Sequence, residues 1–251
     1  PLTATLVPPC ITIVIQICEM LLSLEEGVKS FSVSFSQTGS MIQDIVTANV
    51  LRKMAKHYAE QIGCGDAMIN LVYHQWMGEF PSNKDFSESL INTSTVIASM
   101  VRADKIITKT RDEAFGIPTR ESNAKTVANT QYTLKMLQGI PNISDEQEEE
   151  IVTSEVMSIM EAVFNDKADT LWRKVFNSIK SGIIDVPYSP HIINHNEVVT
   201  VRDKNKNIRI IKRGNLPISD RCFEYEKAQC DLNKDASSIV NDIIHDIGIM
   251  Q

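Results

Sequence analysis

Hydrophobic and polar positions along this chain change period repeatedly, and the changes mark out its elements. Phe31-Ser-Val-Ser-Phe35 alternates apolar and polar side chains, the signature of a strand. Gln37-Thr-Gly-Ser40 then makes a loop. Ser40 is placed to cap a helix over about Met41 to Ile62, where apolar residues recur at the helical period. The same alternation of elements follows twice more. A strand is expected over Ala67 to Tyr73 and a helix from about Phe86 to Val101. A further strand, Lys105 to Lys109, precedes a helix from Arg120 to Leu137. Upstream, Leu2 to Val7 is a short apolar stretch stopped by Pro8-Pro9, and a helix is expected from about Ile11 to Val28.

Strands and helices alternating at this spacing indicate an α/β chain with a parallel sheet, either open or part of a (βα)8 TIM-type barrel. Three to four βα units are legible, whereas eight close a barrel. Past Gly139 the pattern changes. Asp145 to Glu150 is almost entirely acidic, suiting the first turn of a helix, and reads as a solvated start to a helix reaching about Phe164. A second helix is expected from Ala168 to Ser181, then an irregular segment, Ile183 to Asn196. Arg202 to Arg213 reads as a β-hairpin with an Asn-Lys-Asn turn and a basic outer face that discourages edge pairing. An amphipathic stretch near Ala236 to Ile247 ends the chain. The division expected is a barrel portion, 1–140, and an α+β extension, 141–251.

Composition narrows the function. With 251 residues, 43% of them hydrophobic, the chain can bury a large core. A net charge of −7 disfavours nonspecific nucleic-acid binding. Five cysteines without a CxxC pair indicate neither a zinc knuckle nor a disulfide framework, and fit a reducing cytoplasm. Cys10 to Leu24 is too short and too interrupted to span a membrane, so a helix buried against a sheet is expected. No phosphate-cradling glycine motif occurs, and the spacing of His191 and His195 suggests no metal site. The chain opens on an apolar segment at Pro1, as though inside a domain.

One stretch carries candidate chemistry: Lys105-Ile-Ile-Thr-Lys109-Thr-Arg-Asp-Glu113-Ala-Phe-Gly-Ile117-Pro-Thr119. Alternating strand–helix proteins place chemistry at the carboxyl ends of their strands. A lysine and a glutamate one turn apart at that edge can grip a polyhydroxylated ligand, with the carboxylate accepting and the ammonium donating. Read on its own, the pair is better taken as an ordinary surface Lys–Glu contact. His74-Gln-Trp-Met77, at another strand end, puts a histidine and an indole on the same edge, and Trp76 is expected to be a packing residue.

With these blocks assembled, the chain resembles the epsilon subunit of adenosylcobalamin-dependent glutamate mutase (methylaspartate mutase). The resemblance rests on Pro1 to Pro9, Gly39-Ser-Met-Ile-Gln-Asp-Ile45, and His74-Gln-Trp-Met-Gly-Glu-Phe-Pro81. It continues through Lys109 to Thr119, Asp185-Val-Pro-Tyr188 and Val201-Arg-Asp203, and corresponds to the C-terminal part of that subunit. It implies a barrel portion that helps interconvert L-glutamate and (2S,3S)-3-methylaspartate by a radical carbon-skeleton rearrangement. The cobalamin would be clamped against a separate small cobalamin-binding subunit, in a heterotetramer when complete. Lys109 and Glu113 would hold the adenosyl ribose, Phe80 and Ile117 would touch the coenzyme, and Met77 would pack beside it. No residue of this chain matches the family's substrate arginines or catalytic glutamate, so the chain alone is expected to be inactive; a noncatalytic scaffold is the alternative. Asp242-Ile-Ile-His245-Asp-Ile-Gly248 misses the DxHxxG cobalamin-ligand spacing by one residue and is not read as a ligand.

Overall fold

The computed structural model describes residues 6–141 and 143–230. The C-terminal stretch near Ala236 to Ile247 and most of Leu2 to Val7 lie outside the described residues. The first helix, α1 (Pro9–Glu25), begins with proline, which fits the first helical turn because that turn has no use for its N–H. It stops at Gly27 rather than at Val28. Gly27, at φ 89°, donates to Leu24 O, and Val28 N reaches back to Ser23 O, a Schellman ending that needs the left-handed conformation glycine accepts. Apolar almost all round, α1 is buried against the next strand and three other helices.

Three βα units follow: β1 (Ser30–Ser36) and α2 (Met41–Gln61), β2 (Met68–His74) and α3 (Lys84–Met100), then β3 (Lys105–Ile107) and α4 (Arg120–Met136). The strands form one parallel sheet in the order β1-β2-β3, with Ser36 beside His74 and His74 beside Ile107 at its carboxyl edge. Side chains alternate across a strand. Val33, Phe35, Leu71 and Tyr73 therefore share one face, and all are buried in the main core. Parallel sheets are ordinarily covered on both faces. Here the second face leaves Ser30, Ser32, Met68, Lys105 and Ile107 exposed. The α/β class and the parallel sheet match the expectation.

The strand expected to run through Lys109 ends at Ile107. Gln75 N takes the Ile107 carbonyl, but the next donor, Lys109 N, is claimed by the Gln75 side chain, and the ladder stops there. After α4 come α5 (Glu146–Phe164), α6 (Leu171–Lys180), the antiparallel hairpin β4 (Val199–Arg202) and β5 (Ile208–Lys212), and α7 (Asp220–Ala228). Among the described residues no helix is long and apolar enough to cross a membrane.

Two expectations about the extension are overturned. The hairpin has no uniformly basic outer face, because Arg202 and Arg209 are each only 3% exposed. Arg209 Nη1 lies 2.6 Å from Glu148 and 3.2 Å from Glu226, and its Nε lies 3.0 Å from Asp203. For the same reason the acidic run is not wholly solvated. Asp145 caps α5 through Glu148 N, yet the Glu148 side chain turns inward to the guanidinium. Three carboxylates converge on one cation, and the hairpin, α5 and α7 are tied together there.

Candidate functional site

The exits of β1, β2 and β3 lie side by side at the carboxyl edge of the sheet, and buried glutamines latch each to the next. Gln37 follows the last residue of β1. Its Oε1 accepts from Trp76 N at 3.1 Å and also from Ser94 Oγ. Gln75 follows the last residue of β2. Its amide nitrogen donates to Ile91 O and Thr95 Oγ1, while its Oε1 accepts from Lys109 N at 2.8 Å. A primary amide can donate and accept at once, so each glutamine satisfies backbone that has left the ladder and fixes the neighbouring loop.

The latch places Lys109 two residues beyond β3, where the chain turns back. Glu113 opens a short 3-10 turn (Glu113–Phe115). One of its oxygens accepts from Thr110 N at 3.3 Å and the other from Lys109 Nζ, also at 3.3 Å. Both side chains are 24% exposed, so they stand on one face with hydrogen-bonding capacity to spare. His74, at the end of β2, has its pKa lowered by burial and by the charge of Lys109, which favours a neutral imidazole beside the ammonium.

The other expected site residues have different surroundings. Met77 is half-buried, and its sulfur accepts from Ser36 Oγ at 3.3 Å. Ile117 stands in the loop before α4 with 98% of its surface exposed. Phe80 turns inward, 7% exposed, into a small apolar cluster with Trp76, Leu90 and Ile91. Trp76 is the packing residue expected, with its indole N–H donating to Glu79 O at 3.0 Å. Its ring lies so close over Gly78 that a Cβ there would come within 2.5 Å of it.

Beneath the β1 exit lies Asp44, fully buried on α2. One oxygen accepts from Thr38 N at 2.8 Å and Thr38 Oγ1 at 2.7 Å. The other oxygen and the Tyr73 hydroxyl are buried without a hydrogen-bond partner. Burial pushes the Asp44 carboxyl up to about 7, against the opposing pull of Thr38 and Arg202. Sequence reading missed Gln37, Gln75 and Arg202 as supports of the site. A signal was present for the glutamines, each of which directly follows a strand's last residue.

A cation and a carboxylate thus stand at the carboxyl edge of the parallel sheet of an α/β protein, the edge where alternating strand–helix proteins place their ligands. The family described as Methylaspartate mutase E chain (MutE) matches residues 1–238. The chain is 35% identical over 232 residues to the glutamate mutase epsilon subunit of Treponema denticola, covering 91% of this chain and 48% of that protein. To the subunit so named from Escherichia coli O157:H7 it is 35% identical over 254 residues, covering 98% of this chain and 53% of that one. To that of Haloarcula marismortui it is 30% identical over 231 residues, with 91% and 47% covered. The chain belongs to the methylaspartate mutase E chain family. It spans about half the length of the curated relatives it matches.

Proposed function

We propose that this chain forms the adenosyl-binding wall of an adenosylcobalamin-dependent glutamate mutase, interconverting L-glutamate and (2S,3S)-3-methylaspartate. In this reading, residues 1–140 are the C-terminal units of a (βα)8 barrel and 141–251 an extension. The partner is the small cobalamin-binding subunit, in a heterotetramer, in the cytoplasm. The observation that carries the proposal is the Lys109–Glu113 pair. Its two side chains share one face of a strand-exit turn, 3.3 Å apart and part-exposed.

The donor set suits the group. A ribose diol offers two hydroxyls that both donate and accept. Glu113 can accept from one, and the Lys109 ammonium, with three donors, can serve the other while keeping its hold on Glu113. The coenzyme supplies the radical chemistry when bound. The chain's own task is to bind, orient and exclude water. Exposed Ile117 and half-buried Met77 would offer the coenzyme apolar contacts, and Phe80 packs in the Trp76 cluster.

Titration of the purified chain with adenosine, followed through the Lys109 and Glu113 resonances, tests the assignment. Saturable shifts are expected, with binding weakened about tenfold in Glu113→Ala. Parental affinity in both Glu113→Ala and Lys109→Ala would overturn it. Because no residue here pairs with the substrate carboxylates, the chain supplied with coenzyme and small subunit should form no methylaspartate, and turnover would contradict the division of labour.

A further inference from the structure

We propose that Arg202 is the positioning residue through which the C-terminal hairpin fixes the strand-exit loops and, by way of Gln75, the Lys109–Glu113 turn. The inference rests on the proposed function for the role of that pair, but its geometry stands independently.

Arg202 is 3% exposed at the end of β4. Its Nη1 donates to Lys206 O at 2.6 Å, which locks the guanidinium to its own hairpin turn, and its Nη2 donates to Thr38 O at 2.6 Å in the β1 exit loop. The next residue, Gly39, has φ 98° and lies beside both the guanidinium and the indole. A Cβ there would sit 3.6 and 3.7 Å from the two guanidinium nitrogens and 3.7 Å from the Trp76 ring. Trp76 rests in turn on Gly78. Guanidinium and indole thus converge on Gly39, and the indole also closes over Gly78.

Further hydrogen bonds bind hairpin and loop. Ser40 Oγ donates to Asn207 Oδ1 at 2.6 Å, and Gln43 exchanges bonds of 3.1 and 2.8 Å with the Ile208 backbone. From this loop the contacts run on through Gln37 to Trp76 N, and from the adjacent Gln75 to Lys109 N. The arrangement requires arginine. Two nitrogens of a planar fork reach two carbonyls at once, whereas a lysine is a single point of charge on a flexible stem. A run of contacts becomes a mechanism only if disturbing one end moves the other.

That is measurable in the whole chain. Trp172, 55% exposed on α6, is changed to Phe so that Trp76 is the sole indole. In this background Arg202→Lys, Arg202→Ala and, as control, Lys204→Ala at an exposed hairpin position are compared by indole emission, acrylamide quenching and hydrogen exchange of the Lys109 amide. Both Arg202 variants should shift emission to the red and speed Lys109 exchange about tenfold or more, with Lys204→Ala unchanged. Arg202→Lys is decisive, since it keeps the charge and loses only the fork. Parental emission and exchange in that variant would overturn the proposal. So would its global unfolding, which would make Arg202 a support of the whole fold. If adenosine fails to bind the parent chain, the proposed function falls while the indole and exchange results still decide this inference.

Discussion

Among the described residues, the cation–carboxylate clusters at the strand exits and in the extension are built to opposite specifications. At the strand exits, Lys109 and Glu113 meet at 3.3 Å with about a quarter of each side chain in solvent. In the extension, Arg209 is 3% exposed and touches Glu148, Asp203 and Glu226, while Tyr225 donates to the far oxygen of Glu148 at 2.8 Å. Burial opposes the charge on Arg209, but the Glu226 and Glu148 carboxylates outweigh it and hold the guanidinium protonated. The comparison separates two uses of the same chemistry. A saturated, desolvated cluster can only hold elements together, whereas a half-solvated pair with unused donors and acceptors can exchange water for a ligand.

The sharpest way to break this contrast is to remove Arg209. Replacing it with alanine strands three buried carboxylates, and a loss of about 3–5 kcal/mol is expected from urea unfolding. The carboxylates left behind would take up protons, so the deficit should shrink as pH falls from 8 to 5. A loss below about 1 kcal/mol, or one independent of pH, would mean the cluster is not a staple.

The second test acts on the packing beneath the exits. In Gly78→Ala the new Cβ would lie 2.5–2.9 Å from three indole atoms, so the Trp76 ring must move. Overpacking of this kind costs about 1–3 kcal/mol. Emission from Trp76 should shift together with the melting temperature, and an unmoved indole would show that the ring has room the geometry denies.

The contrast also explains what the sequence made legible. The three βα units were readable because strand and helix periods are local, and Ser40 capped α2 as its position implied, accepting from Gln43 N at 3.4 Å. Lys109 and Glu113 were readable for the same reason, four residues apart on one turn. Arg209 was not. Its partners lie 61, 6 and 17 residues away, so β5 in isolation resembles a basic edge strand. Arg202 was hidden likewise, since its contact with Thr38 spans 164 residues. Long-range burial turned two apparently solvent-facing arginines into interior residues, and no periodicity in the hairpin announces it.

Asp44 supplies a smaller, pH-resolved test. Its carboxyl is raised to about 7 from an ordinary value near 4, so the folded state binds a proton that the unfolded state releases. The stability it contributes is therefore fully present below about pH 4 and is lost as pH rises through about 7. Asp44→Asn keeps the acceptor for Thr38 and cannot ionise. Relative to the parent, it should gain about 1 kcal/mol or more between pH 5 and pH 8 in urea midpoints. Parallel pH profiles would show that Asp44 titrates normally. Glu226 and Glu155, both raised chiefly by burial, pull the same way. The slope should flatten in Asp44→Asn rather than vanish.

The smallest effect on stability belongs to the pair with the largest proposed consequence for binding. Lys109–Glu113 is a part-exposed i,i+4 contact, so Lys109→Ala or Glu113→Ala should cost below about 1 kcal/mol in unfolding experiments. Glu113 also receives Thr110 N, and its removal should cost slightly more than that of Lys109. Binding should separate from stability here. In the proposed role, losing one charge-assisted contact to a ribose hydroxyl should weaken adenosine by about tenfold. Arg209→Ala should behave in reverse, lowering stability severely while the fraction still folded binds adenosine as the parent does. If instead both substitutions scaled binding with stability, the two clusters would be one structural network, and the half-solvated pair would have no claim to a ligand of its own.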